Sequence, residues 1–289
     1  PSGATVHVRR AALAGLGVGL FGLVSDEEIL SRADPDDANG DGISGRASSV
    51  GDEIGRFGYK AQSSSVEDLV RGALKDQMGV TSPGVDFVPA ELALRSPLER
   101  VSQFVLPTAR AHPSNSAEDP ASDDDSVADP ELSAADLRDL LTFVTYLAPP
   151  PPVVEAGSEA GRAIFEEIGC AHCHVPTLES ALGPIPAWTD LLLHDMGDEF
   201  GDDIAVGDAA EHEFRTTPLW AVRLNIPYIH DGSAPAYQFT MYAHGGEAAA
   251  SARAYSQLSA EDQSAVARFL DSLGGWNPKG RYLTPQGTP

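Results

Sequence analysis

The feature that most constrains this chain is Cys170-Ala171-His172-Cys173-His174. These two cysteines are the only ones in 289 residues, so no disulfide framework holds the fold. Two thiols at this spacing can each add to a vinyl group of a haem, and the next His is then placed to bind the iron from one side. Competing chemistries lack parts. A zinc site needs two further ligands, and there is no second Cys pair. A dithiol redox pair has no use for His174, and the βαβ pattern that would precede it is missing. The pattern therefore points to one haem c, held by Cys170 and Cys173 with His174 on the iron.

The stretch from Gly161 to Gly169 fits the first helix of a cytochrome c domain. The sixth iron ligand stays open on the residues alone. His194, Met196, His212, His230, Met241 and His244 all lie downstream. A Met would raise the reduction potential, and a second His would generally lower it. His194 and Met196 follow an apolar run from Leu191. His244 follows Ala236–Ala243 and precedes Gly245-Gly246, so it falls at a helix end shortly before the closing helix.

Around the motif the chain divides at Pro149–Pro152, a stiff extended spacer. The expected units are residues 1–148, a linker over 149–154, and a haem c domain over 155–289. Helices are expected at Ser25–Ala33, Val66–Met78, Ser133–Leu147, Glu155–Ile168 and Ser259–Leu273. Ser caps mark several starts, and Gly274-Gly275 stops the last. Period-two alternation is never sustained, so no large sheet is expected. Ala111–Pro130, rich in Asp, Ser and Pro, reads as an exposed acidic loop that includes His112. Leu132-Ser133-Ala134 recurs as Leu258-Ser259-Ala260. Asp136, Phe143 and Leu147 then match Asp262, Phe269 and Leu273. The fold class is mainly α: two cytochrome c-like helical domains with long loops, only the C-terminal one carrying a haem motif.

A net charge of −24 at pH 7 argues against nucleic acid and anionic membrane surfaces. It suits a basic redox partner protein steered by long-range attraction. No run of about 18 apolar residues appears, so no membrane span is expected. Ala11–Val24 is short, Gly-rich and without a cleavage site, unlike a signal peptide. The start at Pro1 reads as processed or trimmed. Thioether attachment calls for a periplasmic or otherwise exported location.

Several segments together resemble the bacterial di-haem c-type oxidoreductases, a peroxidase-like family related to the di-haem cytochrome c peroxidases. They are Asp41–Arg46, Gly55–Ala61, Met78–Ser82, Gly169–Pro176, Asp190–Gly197, Arg215–Trp220, Pro227–Gly232 and His244–Ala248. The resemblance implies that the distal ligand of the second haem falls on His244, with Met196 as the alternative. It implies a Ca²⁺ between the domains at Asn225-Ile226-Pro227. Independently, Asp37, Asn39 and Asp41 have the spacing that opens an EF-hand-like Ca²⁺ loop, although Ser48 stands where the closing Glu belongs. Tyr59 occupies a position where many members have Trp, so it is either an electron relay or a packing residue.

The departure is the first haem, since residues 1–148 contain no Cys. Either its motif lies upstream of Pro1 or in a partner subunit, or the N-terminal domain has lost it. The resemblance implies the electron-transfer half of a peroxidase-like enzyme whose catalytic haem is not in this chain. The alternatives are a mono-haem carrier or respiratory-complex subunit without catalysis, and a catalytic mono-haem site from which His244 swings away.

Overall fold

Among the described residues serine caps start four of the seven α-helices. The computed structural model describes residues 9–13, 15–89, 121–153 and 156–274. His112 and the first half of the acidic loop lie outside them. Helix α1 (Asp26–Leu30) begins where the Ser25 hydroxyl accepts from Glu28 N at 3.1 Å. Two short strands, β1 (Ser48–Val50) and β2 (Glu53–Gly55), pair antiparallel. Helix α2 (Val66–Met78) is capped by Ser65 and stopped by Gly79, whose φ of 70° is the left-handed geometry that favours glycine. Helix α3 (Ala134–Tyr146) starts at Ser133, and α4 (Ser158–Glu167) starts three residues later than expected. Gly157, at φ 83°, turns the chain just before α4. Strands β3 (Leu193–Asp195) and β4 (Glu213–Arg215) form a second antiparallel pair. Helices α5 (Tyr237–Ala243), α6 (Ala249–Gln257) and α7 (Ala260–Ser272) follow. The structure is helix-rich with few short strands. Among the described residues no helix is long and apolar enough to cross a membrane.

The repeated caps are alike in geometry. Ser133 and Ser259 each accept from the backbone of the Asp three residues on at 3.1 Å. Each also donates its hydroxyl to that carboxylate at 2.7 Å. The faces that follow differ. Phe269 on α7 is 3% exposed, whereas its counterpart Phe143 on α3 is 63% exposed.

Two apolar clusters organise the described residues. The first joins Phe21, Val70 of α2 and Leu137 of α3 to Leu178, Leu192 and Trp220, so it draws on both sides of the proline run. Phe21 stacks on Trp220 at 5.1 Å. The second lies wholly C-terminal and is built where α4 crosses α7. A side chain at Gly161 would run into the Ala265 carbonyl, so glycine permits the close crossing. Phe165, Trp188 and Phe269 then meet edge-on or tilted at 4.9–5.9 Å, contacts worth about 0.5–1.5 kcal/mol each beyond the burial of area. The proline run lies against the end of α7, with Val153 N donating to Ser272 O at 2.8 Å. This packing anchors α4, and α4 delivers the cysteine motif.

Candidate haem site

After α4 the chain turns at Gly169, φ 85°, into a 3-10 turn over Cys170–His172. The turn puts Cys170, Cys173 and His174 on the wall of one cavity of about 980 Å³, at the upper end of the range for cofactor pockets. His174 donates Nδ1–H to the Trp188 carbonyl at 3.0 Å. A carbonyl can only accept, so the proton sits on Nδ1 and Nε2 keeps its lone pair. Burial pulls the pKa of His174 down to about 4, so the ring is neutral at physiological pH.

His244 faces the same cavity from the end of α5. It donates Nδ1–H to the Thr240 carbonyl at 2.6 Å, and burial lowers its pKa. Neither Nε2 has a partner among the described residues. The glycines after His244 serve the approach: a Cβ at Gly245 would lie 2.7 Å from the Met196 carbonyl oxygen. Two neutral imidazoles with the same fixed tautomer therefore line one cavity.

The remaining candidates divide clearly. His194 is buried, with Nε2 at 2.8 Å from Asp190 and Nδ1 at 2.7 Å from Glu247. Burial opposes its charge, but hydrogen bonds to Asp190, Cys173 and Glu247 carry its pKa up to about 12. Both nitrogens are protonated, so His194 has no lone pair for iron. It binds the wall together instead: Nδ1 is 3.6 Å from the Cys173 sulfur, and Ser44 donates to Glu247 at 2.8 Å. His212 is 3.4 Å from Asp195 and does not line the cavity. His230 does line it, stacked on Phe214 at 4.4 Å, with Nδ1 buried and unpartnered. Met196 and Met241 also line the cavity.

Tyr59, Asn225 and Pro227 line the same cavity, and so do Phe57, Val70, Ala73 and Val144 of the N-terminal half. The Tyr59 carbonyl accepts from Arg215 N at 2.7 Å. Asp37, Asn39 and Asp41 are not in the cavity wall. Their side chains serve their own loop: Asp37 accepts from Gly42 N at 3.2 Å, Asn39 from Asp41 N at 2.8 Å, and Asp41 from Ile43 N at 2.9 Å. Asp190, Glu247 and Arg215 enter the site without having been singled out in the sequence. Each lies inside a segment that carried the family resemblance.

A family model described as "Di-haem oxidoreductase, putative peroxidase" matches residues 5–273. No curated protein matches the chain. Among solved structures, the chain is similar to hydrazine synthase of Kuenenia stuttgartiensis pressurized with xenon. The identity is 19% over 49% of this chain and 56% of that one, with a TM-score of 0.35. The chain thus spans little more than half the length of that relative. It is also similar to a MauG-like protein associated with microbial copper homeostasis, at 15% identity over 93% of this chain and 94% of that one, with a TM-score of 0.42.

Proposed function

The chain belongs to the di-haem oxidoreductase family, and from that premise we propose that its C-terminal half holds one haem c and acts as the electron-transfer half of a peroxidase-like enzyme. The observation that carries this is the pair of imidazoles. His174 and His244 each commit Nδ1–H to a carbonyl and leave Nε2 for a metal in the shared cavity. Cys170 and Cys173 on the same wall supply the thioether sulfurs. A haem c held by two imidazoles supplies one-electron transfer and offers no open position to peroxide.

The other residues position and shield. The Trp188 and Thr240 carbonyls fix the orientation of the two rings, as outer partners of metal-bound His commonly do. Phe165, Tyr255 and Leu270 give the wall an apolar surface that excludes water. Tyr59, on the wall of the same cavity, serves as the electron relay. Asn225 and Pro227, at the same cavity, are the proposed Ca²⁺ contacts.

Residues of both halves line the one cavity, which favours a two-centre protein over a mono-haem carrier. Residues 1–148 contain no Cys; unless the N-terminal domain has lost its haem, the motif for a second one comes from an upstream segment or a partner subunit. The exposed Phe143 supports this. Its counterpart Phe269 is covered by α4, the helix that leads into the cysteine motif. Thioether attachment places the protein in the periplasm or another exported compartment.

The test is electron exchange between the reduced holoprotein and a small basic c-type cytochrome. With a net charge of −24, the second-order rate is expected to fall about tenfold or more between about 0.01 M and about 1 M salt, as the Debye length shrinks from about 30 Å to about 3 Å. No exchange at any salt would refute the electron-transfer role, and a salt-independent rate would refute a basic partner.

A further inference from the structure

Among the described residues the buried cations are balanced, with one exception. Lys60 lies 3.4 Å from Asp202 and Lys75 lies 2.8 Å from Asp123. Arg56 pairs with Asp26, and His194 is held between Asp190 and Glu247. Arg215 is 6% exposed and has no carboxylate within ion-pair distance among the described residues. Its Nε donates to the Gly58 carbonyl at 2.8 Å and Nη1 to the Thr216 carbonyl at 3.1 Å. These are neutral acceptors. Nη2 has no partner among the described residues. Asp190 is close enough to favour the charge on Arg215, but its two oxygens are taken by Leu192 N at 2.9 Å and His194 at 2.8 Å. An unbalanced buried charge is costly, and a guanidinium fork suits a carboxylate. Arg215 lines the cavity that holds His174 and His244.

We propose that Arg215 is the counter-ion of a haem carboxylate, fixing the carboxylate-bearing edge of the haem beside Tyr59. This rests on the haem assignment above. Gly58 and Tyr59 accept from the Arg215 side chain and backbone respectively, so the same residue would tie that edge to the N-terminal half. A cation there favours the reduced haem, because it offsets negative charge that would repel the incoming electron.

The test compares wild-type, Arg215→Gln and Arg215→Lys holoproteins by redox titration, optical spin state and the resonance Raman band of propionate bending. The Gln variant is expected to keep its covalent low-spin haem. At the wild-type midpoint its reduced-to-oxidised ratio falls about tenfold, a shift of about 59 mV for one electron. The Lys variant keeps most of the potential but shifts the propionate band, because an ammonium cannot fork. A folded, low-spin Gln variant with the wild-type midpoint overturns the proposal. If the Gln variant does not fold, an unchanged propionate band in the Lys variant overturns it. A wild-type protein without covalent haem overturns the haem assignment itself, and a low-spin wild type with an unmoved Gln variant overturns only the role of Arg215.

Discussion

Replacing His244 with alanine is expected to turn the haem from fully low-spin to fully high-spin while both thioether bonds survive. The ring stands at the end of α5, where its only hydrogen bond among the described residues is from Nδ1 to the Thr240 carbonyl. Its removal leaves His174 on the iron, while His230, the other cavity imidazole not held by carboxylates, is stacked on Phe214 at 4.4 Å. His194 cannot substitute, because Asp190 and Glu247 hold both of its nitrogens as donors. Met196 and Met241 line the cavity, which makes them the controls. Met196→Leu and Met241→Leu are expected to leave the low-spin spectrum unchanged. Optical and electron paramagnetic resonance spectra of the three variants decide between the side chains. A low-spin His244→Ala protein together with a high-spin Met196→Leu protein would move the ligand to Met196.

Replacing both Cys170 and Cys173 with serine is expected to abolish covalent haem altogether, as the mass of the purified protein would report. The effect extends to stability. Without haem, a cavity of about 980 Å³ lies at the junction of the two apolar clusters, walled by residues of both. A ligand held at a thousandfold its dissociation constant stabilises a fold by about 4 kcal/mol. For a chain of this size that corresponds to a fall in Tm of about 7 °C. Thermal melts of the double variant and the holoprotein measure it. An unchanged Tm would mean that the cavity is not where the haem contributes to the fold.

Local features of the site were legible in the sequence, and features assembled over distance were not. The Cys170–His174 spacing carries its chemistry within five residues. The Ser133 and Ser259 caps likewise need only the residue three places on. The start of α4 was read too early because Gly157 takes a left-handed conformation that composition does not reveal. Strands β1 to β4 span three residues each, too short for alternation to register. The environment of His194 joins segments 53 residues apart, so it looked like a free ligand until Glu247 was placed beside it. The unbalanced charge of Arg215 is visible only once the oxygens of Asp190 are seen to be taken. Phe143 and Phe269 are equivalent by the repeat, and only packing tells them apart.

The most direct test of bis-imidazole ligation is the near-infrared magnetic circular dichroism of the oxidised wild-type holoprotein. His174 and His244 on the iron predict the ligand-to-metal band of a bis-histidine haem and no sulfur-to-iron charge-transfer band in the far red. A sulfur-to-iron band that disappears in Met196→Leu or Met241→Leu would contradict it.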